Sequence, residues 1–260
     1  MHMFNLTGKK AFIRGASRGL GRQFALALSR AGADVAITSR TLASLEATQA
    51  EVNAIGQECL VLEMDVLQQQ SLEEAAAHAE EHFGQVDILI NNAGCNIRKP
   101  AIEVTWDDWK TIVDTNLRGA FFLAQALAGG MIKKGYGRIV NIGSVTCVAG
   151  YAGLAPYGAS RGGIRQMTMS LAHDWGPHGI TVNCLAPGWF KTEQNAALYQ
   201  DKQWVEYVEE RIPLARVGRP EDLDGTCVFL SSDASAYITG QTLLVDGGIS
   251  VGAMRALPSS

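Results

Sequence analysis

Residues 11–21, AFIRGASRGLG, combine a short apolar run with a loop that has glycines at positions 15, 19 and 21. The apolar run predicts a buried strand, and the residues after it predict a helix that begins near Gly19. Glycine is needed where a backbone turns tightly against a pyrophosphate, and the amides at a helix start favour an anion. The stretch therefore predicts the first strand-turn-helix unit of a dinucleotide-binding fold, because it opens a series of such units.

The same alternation continues along the chain. Six further runs rich in Val and Ile are separated by segments with apolar residues at helical spacing; the runs are DVAIT, CLVLE, DILI, RIVNI, ITVNCL and TLLVD. Strands that alternate with helices predict βαβ units, and so an α/β protein with a parallel sheet covered on both faces. We expect one domain over residues 1–260, with a helical excursion at residues 193–211 that belongs to a substrate lid around 189–212.

Composition and charge exclude several classes of function. The hydrophobic fraction of 47% and the charged fraction of 18% are typical of a compact protein with a large core. A net charge of −4 and the lack of basic runs argue against nucleic acid and anionic membrane surfaces as partners. The five cysteines are odd in number and form no CxxC pair, which predicts reduced thiols and a cytoplasmic protein.

The residues after the second predicted strand bear on the choice of cofactor. Dinucleotide folds that bind NAD(H) place an acidic residue there to bind the ribose 2′-hydroxyl, but residues 38–41 are TSRT. Arg40 and Arg18 suit a 2′-phosphate instead, because guanidinium groups make charge-assisted bonds to phosphate. NADP(H) is therefore favoured, NAD(H) remains possible, and the alternative is that both arginines are merely solvated.

The segment His78 to His82, HAEEH, matches a zinc-peptidase pattern. It falls in a predicted crossover helix, where a charged outer face is expected, and no third ligand is evident. We therefore interpret it as a solvated helix face and expect no metal site.

Taken together, the motifs resemble those of the short-chain dehydrogenase/reductase family over essentially the whole chain. The resemblance rests on GASRGLG, NNAG at 91–94, Asn116, Ser144, Tyr157 and APG at 186–188, which occur in the family's order and spacing. It implies a single-domain Rossmann-type doubly wound sheet of about seven parallel strands. It also implies a carbonyl reductase that interconverts a ketone and a secondary alcohol with NAD(P), and assembly as a homotetramer or homodimer.

The resemblance also implies roles for individual residues. Ser144 would hydrogen-bond the substrate carbonyl, Tyr157 would be the general acid in reduction and the base in oxidation, and Asn116 would hold a water. Asp65 would accept from the adenine amino group, and Asn91 would line the cleft. The implied cofactor-binding set is Gly15, Ser17, Arg18, Gly19, Leu20, Gly21, Arg40, Asp65, Val66, Asn92, Ala93, Gly94, Tyr157, Arg161, Pro187, Gly188 and Thr192.

Physical chemistry makes the Ser and Tyr roles reasonable. Hydride transfer to a carbonyl carbon leaves charge on oxygen, so one group must polarise that oxygen and another must protonate it. A free tyrosine has a pKa near 10, and a neighbouring cation favours its phenolate. The stretch PYGASRGG places Tyr157 and Arg161 on one face of a helix, which predicts such a neighbour.

Two arginines depart from the family pattern. Arg161 stands where the family has lysine; it supplies charge and hydrogen-bond donors but does not release a proton. Its bulk would displace the ribose or the phenol by about an ångström, which costs roughly 10²-fold in rate. We expect reduced but measurable activity, or a nucleotide-binding scaffold with impaired catalysis. Arg14 replaces a threonine and, if buried, needs a partner.

The substrate is less well defined by the sequence. The expected substrate-binding set is mainly apolar and suits a hydrophobic or acyl-chain ketone; its members are Cys95, Asn96, Val145, Thr146, Leu154, Trp189 and Phe190. In contrast, NIRKP at 96–100 resembles sugar-acid members of the gluconate 5-dehydrogenase type, in which Arg98 would receive a carboxylate. A general carbonyl reductase, a 3-oxoacyl-thioester reductase and a polyol dehydrogenase all fit.

Overall fold

The seven apolar runs form seven parallel strands of one sheet in the computed structural model, which describes residues 3–252. The order across the sheet is β3-β2-β1-β4-β5-β6-β7, and every neighbouring pair is parallel. The predicted sheet is confirmed, with bounds β1 Lys10–Arg14, β2 Asp34–Ser39, β3 Cys59–Glu63, β4 Ile88–Asn91, β5 Gly137–Ile142, β6 Ile180–Pro187 and β7 Thr242–Val245.

Helices follow the strands as the spacing of apolar residues predicts. A π-helical turn over Asp114–Arg118 joins the fourth helix to the fifth. The bounds are α1 Gly19–Arg30, α2 Glu46–Ile55, α3 Gln69–Phe83, α4 Trp106–Val113, α5 Gly119–Lys134, α6 Ala155–Trp175, α7 Lys202–Glu209 and α8 Asp224–Ser231. None of the helices described between residues 3 and 252 combines the length and apolar character needed to cross a membrane.

The core lies on both faces of the sheet, as a doubly wound arrangement requires. Ala11 and Ile13 of β1 belong to a buried cluster that includes Phe24 of α1. Phe12, between them, belongs to a second cluster on the other face that includes Leu72 of α3. Because both sides of the strand are buried, its central residues Ala11 to Ile13 are continuously apolar rather than alternating.

The order of the strands creates a crevice at the centre of the sheet. The chain moves outward from β1 through β2 to β3 and then returns to place β4 on the other side of β1. At such a reversal the loops after the two strands diverge and leave an opening at their carboxyl ends. The last residues of these strands, Arg14 and Asn91, lie side by side there.

Candidate functional site

The glycine loop after β1 is built for close approach of the backbone. Gly15 and Gly19 have φ angles of 76° and 57°, in the left-handed region that favours glycine. A Cβ at Gly15 would lie 2.7 Å from the Cβ of Ala93, and one at Gly21 would lie 1.9 Å from the Gly15 carbonyl oxygen. Helix α1 begins at Gly19, as the sequence predicts, so its free amides face the crevice.

A cavity of about 580 Å³ adjoins this loop. The predicted residues Arg18 and Arg40 both line it and supply two guanidinium groups. Hydroxyl groups contribute much of the remaining lining, and Glu193 adds one carboxylate. We did not predict the hydroxyls of Ser39, Thr41 and Ser44, although the serine- and threonine-rich stretch TSRTLAS at 38–44 was a visible signal. The full lining is Ser17, Arg18, Ser39, Arg40, Thr41, Ser44 and Glu193.

Other predicted cofactor residues surround the crevice. Asn92 Nδ2 donates to the Gly15 carbonyl at 2.9 Å and so joins the β4 loop to the glycine loop. Thr192 lies beside the start of α1, because a Cβ added at Gly19 would be 3.7 Å from the Thr192 Cβ. Gly188 follows β6, and a side chain there would strike the Asp246 backbone at 2.7 Å. These glycine cradles and phosphate-type donors fit a dinucleotide with a 2′-phosphate.

The remaining predicted cofactor residues follow their strands directly. Asp65 and Val66 lie just beyond the end of β3, and the Asp65 carboxylate accepts from the Leu67 amide at 3.0 Å. Pro187 is the last residue of β6. Leu20 lies in the first turn of α1 and packs against the core cluster on that face of the sheet. Ser17 lines the cavity beside the glycine loop. Asn91 ends β4, and its buried side-chain amide donates to the Ala120 carbonyl at 2.8 Å.

The predicted catalytic hydroxyls come from two neighbouring segments. Ser144 precedes a 3₁₀ turn over Val145–Cys147, is 8% exposed, and its Oγ accepts from the Thr146 amide at 3.2 Å. Tyr157 lies in the first turn of α6 and is partly buried. Within residues 3–252 its hydroxyl group has no hydrogen-bond partner, so it is free to meet a ligand.

Asn116 projects from the π-helical turn, whose extra residue turns the side chain into the protein. Its Oδ1 accepts from the Cys95 amide at 2.8 Å. Its Nδ2 donates to the Cys95 carbonyl and to Ser160 Oγ, both at 3.0 Å. The amide group therefore holds the loop after β4 against helix α6. It does so at Ser160, whose hydroxyl donates to the Tyr157 carbonyl at 2.7 Å.

Arg161 lies beside the phenol ring and points inward. Its side chain is 5% exposed, and Cζ lies 4.9 Å from the centroid of the Tyr157 ring, over the ring face. Nη1 donates to the Ile142 carbonyl at 2.8 Å. A Cβ at Gly94 would lie 2.3 Å from Nη2, so the guanidinium also borders the cofactor crevice.

Arg14 is fully buried and has few partners. Nη2 donates to the Thr115 carbonyl at 2.5 Å, whereas Nε and Nη1 find no partner in the described part of the chain. Burial and, to a smaller extent, the nearby Arg161 guanidinium lower the pKa of Arg14 to about 9. The partner that the sequence called for is thus a single backbone carbonyl, and no carboxylate of residues 3–252 pairs with Arg14.

An aromatic cluster joins the segment after β6 to helix α7 and to Tyr151. Trp189 contacts Tyr151 and Trp204 edge to face, at centroid separations of 5.7 and 5.2 Å, and Tyr199 contacts Trp204 at 5.3 Å. Trp189 Nε1 and the Tyr199 hydroxyl are buried without a partner among the described residues, and burial raises the pKa of Tyr199. Trp189 was predicted by name, and Tyr199 and Trp204 lie within the predicted lid, whereas Tyr151 was not predicted.

The other predicted substrate residues are dispersed. Thr146 and Leu154 line a second cavity of about 570 Å³. Asn96 is exposed beside Cys95, and Val145 is buried. Phe190 is 5% exposed and belongs to a core cluster, where its ring fills the space above Gly218.

The two histidines of HAEEH lie on exposed positions of α3. His82 Nε2 is 2.6 Å from Glu58 Oε1. Between residues 3 and 252 no three His, Cys, Asp or Glu side chains are grouped so as to hold a metal ion.

Comparison with known proteins identifies relatives along nearly the full chain. Residues 15–250 match the family model described as Enoyl-(Acyl carrier protein) reductase. A gluconate 5-dehydrogenase of Gluconobacter oxydans (strain 621H) is 42% identical over 249 residues, which cover 96% of this chain and 97% of the relative. A 3-oxoacyl-[acyl-carrier-protein] reductase of Pseudomonas aeruginosa is 38% identical over 245 residues, covering 94% and 98%.

Solved structures agree with these relatives. A gluconate 5-dehydrogenase from Burkholderia cenocepacia, crystallised in complex with NADP and tartrate, superposes with a TM-score of 0.94. It is 37% identical to this chain, and the alignment covers 97% of this chain and 99% of that one.

Proposed function

The chain belongs to the short-chain dehydrogenase/reductase family, and we propose that it is an NADP(H)-dependent enzyme that interconverts the ketone and the secondary alcohol of a sugar acid. The observation that carries the proposal is the cavity beside the glycine loop, where Arg18 and Arg40 face a group of hydroxyls. Two guanidinium groups without a ribose-binding acid after β2 favour a 2′-phosphate. The NADP complex of the Burkholderia relative supports this choice.

The catalytic roles follow from the positions of the side chains. When bound, the nicotinamide cofactor supplies or accepts a hydride at the substrate carbon. The Ser144 hydroxyl donates to the substrate oxygen, and Tyr157 gives that oxygen a proton in reduction and removes it in oxidation. Asn116 keeps the loop after β4 against α6 and holds a water that exchanges protons with the site. Arg161 supplies fixed positive charge beside the phenol.

Two observations support a sugar acid as the substrate. The gluconate relatives are named for such substrates, and the Burkholderia protein was crystallised with tartrate, a hydroxylated dicarboxylate. In this chain, Trp189 Nε1 and the Tyr199 hydroxyl are unsatisfied donors in the aromatic cluster, where a polyol would supply acceptors. Arg98 is exposed after β4 and is the proposed partner of the carboxylate.

Arg161 also supports a second candidate, a nucleotide-binding scaffold with impaired turnover. Its guanidinium is engaged by the Ile142 carbonyl and borders Gly94, so the group is fixed in a position that a shorter amine would leave open. Arginine also cannot release a proton to the site. This candidate predicts cofactor binding without measurable oxidation or reduction.

We further propose that residues 1–260 form one domain, that residues 189–212 act as a lid over the substrate, and that the protein is a cytoplasmic homotetramer or homodimer. Light scattering, which gives the mass of the particle in multiples of the 27.9 kDa chain, tests the assembly.

Cofactor titration with turnover tests the proposed function. NADPH should bind at least tenfold more tightly than NADH, and Arg40→Ala should remove most of that difference while NADH affinity stays unchanged. Arg30→Ala is the matched control, because Arg30 lies at the far end of α1, outside the cavity. The keto form of gluconate should be reduced faster than a 3-oxoacyl thioester.

Equal affinity for the two cofactors in the unaltered protein would contradict the assignment of NADP(H). Tight NADPH binding with no turnover of keto acids, ketones or acyl thioesters would support the scaffold instead. Faster reduction of the acyl thioester would contradict the choice of a sugar acid as substrate, but it would not contradict NADP(H)-dependent reduction.

A further inference from the structure

Two cysteines that are distant in sequence meet behind the catalytic serine. Cys147 ends the 3₁₀ turn after Ser144, and Cys184 lies in β6. A Cβ at Gly143 would lie 2.5 Å from Cys184 Sγ and 2.8 Å from Cys147 Sγ, so both sulfur atoms pack against the same α-carbon. The two thiols are therefore close neighbours on one side of Gly143. Because Gly143 has no side chain, it leaves the space that both sulfur atoms occupy.

The surroundings of Cys147 make it the more reactive thiol. The neighbouring Cys184 thiol lowers the pKa of Cys147, and the Ser144 backbone and the guanidinium groups of Arg161 and Arg165 act in the same direction. Burial opposes them, and the neutral thiol of Cys147 donates to the Arg161 carbonyl at 3.1 Å. The pKa of Cys184 is raised by the same neighbour, so Cys184 remains the protonated partner.

Small molecules have a route to this pair. Cys147 lines the second cavity together with Arg165 and Tyr151, whereas Cys184 is fully buried. Cys59 provides a contrast, because it is 8% exposed, as Cys147 is, but burial raises its pKa to about 12. A thiolate rather than a thiol is the nucleophile in oxidation. Equal exposure with opposite shifts of the pKa makes Cys59 a matched reference.

We propose that Cys147 and Cys184 are a peroxide-sensitive thiol pair that closes to a disulfide behind Ser144. The Cys147 thiolate attacks a hydroperoxide oxygen, the O–O bond breaks, and water or an alcohol leaves after taking up a proton. The resulting sulfenic acid is attacked by the Cys184 sulfur; the S–S bond forms as the S–O bond breaks, and water leaves with the Cys184 proton. The pair loses two electrons, and the peroxide gains them.

Closing this bond ties the turn that carries Ser144 to strand β6. The Ser144 hydroxyl accepts from the Thr146 amide at 3.2 Å, one residue before Cys147. A displacement of Cys147 is therefore transmitted to the serine. We expect the disulfide to lower turnover and a dithiol reductant to restore it.

Peptide mass spectrometry after brief hydrogen peroxide treatment and alkylation tests the pair without relying on activity. The unaltered protein should yield a linked Cys147–Cys184 peptide. In Cys184→Ala, Cys147 should stop at the sulfenic acid and be trapped by dimedone. In Cys147→Ala, Cys184 should stay unmodified. Cys59→Ala should behave as the unaltered protein, and activity, where measured, should fall at least fivefold and recover with dithiothreitol.

Alkylation of the native, unaltered protein provides the check that needs no variant. Cys147 should react with iodoacetamide at pH 7 at least tenfold faster than Cys59. The proposal is overturned if Cys147 reacts no faster than Cys59, or if peroxide yields no linked peptide while the protein remains folded. If the protein had no NADPH-dependent turnover, these thiol measurements could still be made, so the thiol proposal and the proposed function can fail separately.

Discussion

Position 161 shows how one side chain changes the chemistry available at the site. The guanidinium lies over the ring of Tyr157 and donates to the Ile142 carbonyl. The spacing of residues 157 and 161 predicted that the two groups are neighbours. It did not predict that the guanidinium is anchored to β5, because this depends on the separation of α6 from the sheet.

Arg161→Lys should raise the rate of ketone reduction by about 10- to 100-fold, because the shorter amine relieves misplacement of about an ångström and exchanges protons with water. The measurement is kcat for NADPH oxidation at saturating substrate. Arg161→Met, which keeps an unbranched side chain but removes the charge, is the control and should lower kcat. An unchanged rate in Arg161→Lys would show that the guanidinium does not limit turnover.

At the scale of an element, α7 carries Trp204 to the aromatic cluster. The helix has only eight residues, so its start matters to its stability. Asp201 caps it, because the carboxylate accepts from the Trp204 amide at 3.1 Å. Trp204 then packs against Trp189 at 5.2 Å. One cap therefore helps to position part of the proposed lid.

Asp201→Ala should raise KM for the keto acid about fivefold, because losing an N-cap costs about 1 kcal/mol and loosens the helix that supports Trp189. The effect on kcat should be smaller. Asp201→Asn keeps the capping oxygen and should keep KM near that of the unaltered enzyme. Steady-state kinetics checks both variants, and a KM that rises equally in both would point to the charge of Asp201 instead.

At the scale of the whole molecule, two buried arginines differ in how many hydrogen bonds satisfy them. Arg138 is 4% exposed and donates to Ser232 O, Gly137 O and Asp233 at 3.3, 2.9 and 3.0 Å. Arg14 is fully buried with one carbonyl partner. A buried charge with few partners costs free energy, whereas a well-bonded one is costly to remove.

Arg14→Met should raise the free energy of unfolding by about 1–3 kcal/mol, while Arg138→Met should lower it by about 3 kcal/mol. Urea unfolding followed by circular dichroism measures both. The folded-state pKa of Arg14, about 9, lies below its ordinary value of 12.5. Its charge is therefore a cost at every pH below about 9, and the advantage of Arg14→Met should shrink as the pH rises above that. Equal destabilisation by both substitutions would contradict this account.

The sequence alone determined the strands, the glycine loop and the candidate residues Arg18 and Arg40, because local periodicity, backbone conformation and side-chain chemistry are properties of short stretches. The roles of Ser144 and Tyr157 came from the resemblance of the motifs to a known family. The tertiary structure decided which distant residues meet. It placed Phe190 in the core, brought Tyr151 and Trp204 to Trp189, and packed Cys147 against Cys184. Such contacts depend on how the helices and loops pack against the sheet, and no local sequence pattern encodes which distant side chains that packing brings together.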